Sequence, residues 1–271
     1  MRKPLILITV FIVSLFIGCS EQSSRPNDLL NAVLWMQQSS EYEASALQAY
    51  KIAQNLLDKA LADKNWTAAL EQTGDYAQLP PAVILDVDET VLDNSPFEAN
   101  LILNNASFSN TLWDKWCNEA RAEAVPGAVE FCNYAAEKGV TVFYLTNRRQ
   151  HLTEATRRNL QKAGFPLSDK TETVITRTDT GDKGPRRHKI AENYRILLLI
   201  GDNNGDFASG FTKAPSAQRH KMVKDYRDYW GTKWIVLPNP SYGDWESALY
   251  EYNYKLPETD KRALKLKKLR L

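Results

Sequence analysis

Two aspartates one residue apart, Asp86 and Asp88, stand directly behind the apolar run Ala82-Val-Ile-Leu85. An apolar run with polar flanks predicts a buried parallel strand. Carboxylates just past such a strand sit at its carboxyl end, where open α/β sheets place their ligands. Burying two anions side by side is costly unless a cation or a proton compensates. The pair therefore predicts a metal site and catalytic carboxylates in one place. A strand-end turn or a calcium site is the alternative reading of the same residues.

Other polar groups follow apolar segments in chain order. Val140-Thr-Val-Phe-Tyr-Leu145 leads into Thr146-Asn147-Arg148. Thr173-Val-Ile-Thr176 precedes a polar stretch carrying Lys183. Arg195-Ile-Leu-Leu-Leu-Ile200 leads into Gly201-Asp202-Asn-Asn-Gly-Asp206. His151, His188 and His220 are scattered without metal-ligand spacing and read as surface or core residues.

The first 18 residues combine Arg2 and Lys3 with an apolar run from Leu5 to Ile17. That is the layout of a signal peptide, too short for a comfortable membrane span. Phe16-Ile-Gly-Cys19 resembles a lipobox, with Cys19 as the acylated residue and Phe16 in place of the usual leucine. Ser20 after the cysteine is compatible with outer-membrane sorting, so the reading is a lipid-anchored protein of a Gram-negative envelope, facing the periplasm or the outside. An ordinary signal peptide or a membrane anchor with an incidental cysteine is the alternative.

Asp-x-Asp-x-Thr after an apolar strand, a strand-end threonine, a lysine and Gly-Asp-x-x-x-Asp, in that order, resemble the haloacid-dehalogenase-like hydrolases over roughly residues 80–245. Together with the leader they resemble the class C bacterial acid phosphatases, including the lipoprotein 5′-nucleotidase branch. The resemblance implies a Rossmann-like α/β fold, a parallel sheet flanked by helices, with a small mainly helical cap from the N-terminal helices and the insertion after the first motif.

It also implies roles. Asp86 is the nucleophile that forms an aspartyl-phosphate, splitting one hard step into two. Asp88 is the general acid and base; transport ATPases of the superfamily carry threonine there and dehalogenases lack the aspartate, so Asp88 points to a phosphatase or phosphotransferase. Mg²⁺ is the expected metal, held by the side chains of Asp86 and Asp202 and the backbone carbonyl of Asp88. Asp206 binds a metal-held water or orients Lys183, and as a plain reading caps a helix. The Thr146 hydroxyl and the Asn147 backbone N–H bind a phosphoryl oxygen; capping the next helix is compatible with that role for Thr146. Lys183 neutralises the phosphate and Asp86. Lys170 and Lys189 flank the same polar region, and Lys183 is preferred for its distance ahead of Asp202. Trp113, Tyr242 and Trp245 are aromatic substrate contacts for a nucleoside or aryl ring, or else core and rim packing.

The elements that must position these groups follow from periodicity and punctuation. We divide the chain into a signal peptide 1–18, a polar tether 19–28, an N-terminal helical segment 29–79, a catalytic core 80–256 with an insertion 93–125, and a basic tail 257–271. Apolar stripes predict helix over 29–64, with Ser39-Ser40 and Glu43 as a capping box between two helices. Pro80-Pro81 stops helix and opens the first strand. Pro126-Gly127 opens a helix to about Lys138, closed by Gly139. Strand 140–146 precedes helix 150–163, which ends at Gly164, and Lys233-Trp-Ile-Val-Leu237 is the last strand. Strands alternating with helices argue for a parallel sheet. The tail 257–271 mixes leucines with six basic residues; we read it as a solvated terminal helix or one closing over the core, with a membrane-surface helix as the alternative.

With 271 residues the chain can bury a large core. Its net charge of +1 gives no electrostatic reason to expect a nucleic-acid polymer as partner. Cys117 and Cys132 are read as buried free thiols rather than a disulfide. The expected partners are small phosphomonoesters, nucleotides among them, and the membrane through Cys19; a homodimer is expected only by analogy. An acidic pH optimum follows from the need to protonate Asp88. Transfer of the phosphoryl group to an alcohol, and a non-enzymatic binding lipoprotein on the same fold, are the competing functions.

Overall fold

The computed structural model describes residues 28–271. The signal peptide, Cys19 and the tether up to residue 27 lie outside the described residues. The predicted α/β architecture is present. Five parallel strands form one sheet in the order β5-β4-β1-β6-β7, with β1 Pro81–Leu85, β4 Thr141–Arg149, β5 Val174–Arg177, β6 Arg195–Gly201 and β7 Trp234–Val236. From β1 the chain builds outward to β4 and β5, then returns to the other side of β1 for β6 and β7. The connection reverses between β1 and β6, and a crevice opens at the carboxyl ends of strands at such a point.

The strands are apolar on both faces because helices cover both. Val83, Leu85, Val142, Tyr144, Leu198 and Ile200 meet α2 (Ser40–Ala62), α5 (Ala128–Glu137) and the 152–165 segment that contains α6 (Thr153–Lys162). Ala82, Ile84, Phe143, Leu145, Ile196 and Leu199 meet the residues after Trp66, α7 (Gly184–Ala191) and the segment Phe207–Phe211. Beside β1, strand β6 carries one extra residue: Ala82 pairs with Ile196 but Val83 with Leu198. Such a bulge leaves a backbone group without a ladder partner. The indole Nε1–H of Trp66 donates to the Leu197 carbonyl at 2.8 Å and satisfies it.

Helix ends agree with the sequence where glycine sets them: Gly139 and Gly164 take positive φ behind α5 and α6. They differ where side chains compete. The N-terminal helical region breaks into α1 (Leu30–Gln38) and α2, with Ser39 as the cap; its Oγ accepts from the Tyr42 N–H at 3.1 Å. Ser40 is therefore the first helical residue, and Glu43 does not stand where a capping box needs it. Strand β4 runs on past Thr146 to Arg149, and Gln150–Leu152 form a 3-10 turn before α6.

The two N-terminal helices do different work. Helix α2 belongs to the covering layer, burying Ala46, Tyr50, Ala53 and Leu57, and its Tyr50 hydroxyl donates to the Thr90 carbonyl at 2.6 Å. Helix α1 packs against α3 (Ser95–Leu103) of the insertion. The insertion also holds α4 (Asn110–Glu119), and its ends are joined by an antiparallel pair, β2 (Leu92–Asp93) with β3 (Glu123–Ala124). Cys117 and Cys132 are both buried and free, as expected.

Candidate active site

Strand β1 delivers Asp86 into the crevice, its N–H donating to the Ile200 carbonyl of β6 at 2.9 Å. Strand β6 ends at Gly201 and delivers Asp202. The next turn returns Asp206 over Gly201: a Cβ added there would lie 2.4 Å from Asp206 Oδ2, so only glycine permits this fold-back. Carboxylate oxygens of Asp86, Asp202 and Asp206 lie within 4.8 Å of one another. Lys183, the residue before α7, is 3% exposed and reaches Asp86 Oδ1 at 2.5 Å and Asp206 Oδ1 at 2.6 Å. Lys170 and Lys189 are exposed, so Lys183 is the lysine brought to the carboxylates. Asp206 both orients Lys183 and caps its own turn, Oδ2 accepting from the Asn203 N–H at 2.9 Å.

The electrostatics of this cluster are unbalanced. Like charges about 4.8 Å apart repel by roughly 3 kcal/mol at an effective dielectric of about 20, and one lysine offsets three carboxylates only in part. Burial pushes the Asp86 carboxyl up to about 7; Lys183 opposes the shift, while Asp206 and Asp88 add to it. Burial, then Asp206 and Asp86, hold Asp202 well above the usual carboxylate range. An all-oxygen donor set with excess negative charge fits a hard divalent cation such as Mg²⁺. Asn239 donates its Nδ2–H to Asp202 Oδ2 at 2.8 Å and fixes that carboxylate.

Asp88, two residues from Asp86, faces a different environment. Its Oδ1 accepts from Arg148 Nε at 2.9 Å, Arg148 Nη2 at 2.7 Å and Asn94 Nδ2 at 2.9 Å, and its Oδ2 from the Thr146 hydroxyl at 3.3 Å. Arg148 is buried. Burial is the largest influence and works against its charge, but Asp88, Cys117 and Glu89 together hold its pKa above the usual value. Asn94 is held in turn: its N–H donates to Glu89 Oε1 at 2.8 Å and its Oδ1 accepts from Trp116 Nε1 at 2.7 Å. Glu89 has a φ of 55° and is fully buried, and burial followed by the Asp88 and Asp202 charges raises its pKa well above normal. Sequence reasoning gave no role to Arg148, Asn94, Glu89 or Asn239. Arg148 lies within the strand-end motif itself; the others had no spacing signal.

Thr146 is buried at the end of the apolar part of β4, where its Oγ1 accepts from the Arg148 N–H at 3.0 Å. The side chain of Asn147 is tied down by Arg186, whose Nη2 donates to Asn147 Oδ1 at 2.6 Å while Nη1 donates to the Thr146 carbonyl at 2.6 Å.

The three predicted aromatic contacts sit on two segments. Trp113 of α4 packs edge-on to Phe97 at 5.0 Å, and the Arg148 guanidinium lies 5.5 Å from its ring centre. That places the ring beside the Asp88 corner. Tyr242 is half-buried in the loop after β7; its N–H and that of Ser241 face Asn239 Oδ1, so the residue that fixes Asp202 also shapes this loop. Trp245 is 44% exposed at the start of α9 (Asp244–Ser247), and its Nε1–H donates to the Tyr242 carbonyl at 3.1 Å.

Comparison with known proteins gives one consistent result. A family model described as HAD superfamily, subfamily IIIB (acid phosphatase) matches residues 22–245. Acid phosphatase 1 of Solanum lycopersicum is 30% identical over 166 residues, covering 59% of this chain and 57% of its own length. The chain spans about half to three fifths of the curated relatives it matches. The class C acid phosphatase from Bacillus anthracis superposes with a TM-score of 0.81 at 36% identity, covering 90% of this chain and 97% of that one. The same enzyme with tungstate bound gives a TM-score of 0.80 at 35% identity.

Proposed function

Because the chain belongs to subfamily IIIB, the acid phosphatases, of the HAD superfamily, we propose that it is an Mg²⁺-dependent phosphomonoesterase working through an aspartyl-phosphate at the cell envelope. The observation that carries this reading is the pairing of one anion-rich cluster with one fully partnered carboxylate only two residues away. The tungstate complex of the B. anthracis enzyme supports an oxyanion site on this fold.

The chemistry follows from the two environments. An Asp86 carboxylate oxygen attacks phosphorus, the bond from phosphorus to the ester oxygen breaks, and Asp88 gives that oxygen its proton. Asp88, now a carboxylate held by Arg148 and Asn94, takes a proton from the water that attacks the phosphoryl group; orthophosphate leaves and Asp86 is restored. Lys183 holds positive charge beside Asp86 throughout, and the Thr146 hydroxyl, which donates to Asp88 Oδ2, is the group we assign to a phosphoryl oxygen. Mg²⁺, held by the side chains of Asp86 and Asp202 with the Asp88 carbonyl, would supply positive charge to the phosphoryl oxygens.

The rim favours a flat substrate ring. Trp113 and Tyr242 lie on elements tied to the two carboxylate environments, and stacking on them suits nucleoside monophosphates and aryl phosphates alike. Phe16-Ile-Gly-Cys19 supports lipid attachment at Cys19; among the described residues no helix is long and apolar enough to cross a membrane.

The deciding experiment is phosphate release from an aryl phosphate and from a nucleoside 5′-monophosphate, using the chain that starts at Ser20. Activity with Mg²⁺ that disappears with EDTA and with Asp86→Asn is expected. Activity surviving Asp86→Asn would remove the nucleophile, and a folded protein inactive in every condition would end the phosphatase reading. Incorporation of labelled palmitate by the intact chain, abolished by Cys19→Ala, tests the anchor.

A further inference from the structure

The C-terminal tail does not close over the core. Helix α10 (Glu258–Leu266) buries no residue. One side of it rests on the segment after the Tyr242 loop: Lys261 Nζ lies 5.3 Å from the Tyr250 ring centre, and Lys265 pairs with Glu246. The other side is open. Leu266 is 52% and Leu269 68% exposed, and Leu271 is fully exposed. Lys267, Lys268 and Arg270 are exposed too, with no ion-pair partner among the described residues. Over 257–271 six basic residues face only two acids, Glu258 and Asp260.

A second contact locates this surface. Arg262 of α10 pairs with Asp28, the first described residue. Asp28 follows Cys19 by nine positions, and nine extended residues reach at most about 32 Å. A lipid on Cys19 therefore keeps Asp28, and with it α10, within about that distance of the bilayer. A short tether of this kind turns a weak second contact into an intramolecular one at millimolar effective concentration.

We propose that α10 and the residues after it form a docking surface for an anionic phospholipid bilayer, set beside the point where the lipid-bearing tether joins the fold. The leucines enter the boundary between headgroups and acyl chains while the unpaired basic side chains meet headgroup phosphates. The lipid alone would hold the protein at the membrane and leave its body free to turn; the second contact fixes its orientation. The proposal deepens the envelope reading above and rests on it.

The test uses the chain from Ser20 onward, without lipid, mixed with vesicles of phosphatidylglycerol and phosphatidylethanolamine or of phosphatidylcholine alone. Sedimentation with the anionic vesicles at low salt is expected, weakening as salt rises, with little on phosphatidylcholine. Each basic residue near an anionic surface favours binding about fivefold, so the triple variant Lys267→Glu, Lys268→Glu, Arg270→Glu should lose on the order of 100-fold or more. Leu266→Asn with Leu269→Asn should lose roughly tenfold. Both variants should release phosphate from an aryl phosphate as the parent does, which shows that they fold. No binding to anionic vesicles, equal binding to both vesicle types, a charge-reversed variant that binds like the parent, or self-association through the leucines in place of lipid binding would each overturn the proposal. Vesicle binding without lipid is read independently of palmitate labelling, so failure of the anchor reading and failure of the docking surface are separate results.

Discussion

Asp86 and Asp88 leave the same strand two residues apart, yet they sit in opposite electrostatic surroundings. Asp86 shares its crevice with Asp202 and Asp206 and has one lysine, Lys183, to set against them. Asp88 has a buried arginine and a carboxamide on one oxygen and a hydroxyl on the other. The first environment carries more negative charge than its own lysine offsets, which fits it to a divalent cation. The second is complete without one and holds its carboxylate in a fixed direction. Two identical side chains thus receive two environments from what the rest of the fold brings to each, and the proposed division into nucleophile and acid rests on that difference.

The comparison is broken or sharpened most strongly by removing one charge at a time. Asp86→Asn should lower phosphate release by on the order of 10⁴-fold or more. Because it relieves like-charge repulsion, metal-free protein should melt no lower than the parent in a thermal scan. Asp88→Asn should also disable turnover, but it strands the Arg148 guanidinium, and breaking a buried pair costs roughly 3–5 kcal/mol. A clear drop in melting temperature for Asp88→Asn and none for Asp86→Asn is the expected contrast; equal effects would refute it.

Metal removal should act on one side alone. Mg²⁺ at about 100 times its dissociation constant should stabilise the parent by about 2.7 kcal/mol and Asp86→Asn by much less. The pH dependence of metal-free protein has a definite sign. The folded pKa of Asp86 is raised from 3.8 to about 7, so its stabilising contribution is complete below the lower value and is lost as pH rises through the upper one. Melting curves of parent and Asp86→Asn should therefore diverge over that window and converge again on adding Mg²⁺. The smallest effect belongs to the rim. Trp113→Ala should raise KM for a nucleoside monophosphate by roughly tenfold, within the 1–3 kcal/mol that base stacking contributes, with kcat little changed; a loss confined to kcat would instead mean that the ring props up Arg148.

The strands that carry Asp86 and Asp202 were legible because they are continuous apolar runs buried on both faces, and Lys183 because its distance ahead of Asp202 matches the family that the chain resembles. Arg148 stood in plain view within Thr146-Asn147-Arg148, but nothing in one sequence says that a strand-end arginine turns back to a carboxylate on the neighbouring strand. Asn94 and Glu89 were hidden for a related reason: Asn94 reaches Asp88, and Glu89 holds Asn94, by way of a left-handed residue and a turn, which have no period. The division of labour between α1 and α2 was also illegible, since both carry apolar stripes, and only packing reveals that one covers the sheet while the other joins the insertion. Ser39 and Ser40 were interchangeable as caps until the backbone chose Ser39.

The β2–β3 pair has a use in protein engineering. It brings residues 92–93 against 123–124, so everything between is a module inserted at a single doorway. Each doubling of a flexible insert's length costs only about 0.6 kcal/mol in closure entropy. Grafting a longer or shorter insert between those strands should recast which molecules reach the crevice, provided that the graft retains Asn94, which holds Asp88, and Trp116, which holds Asn94.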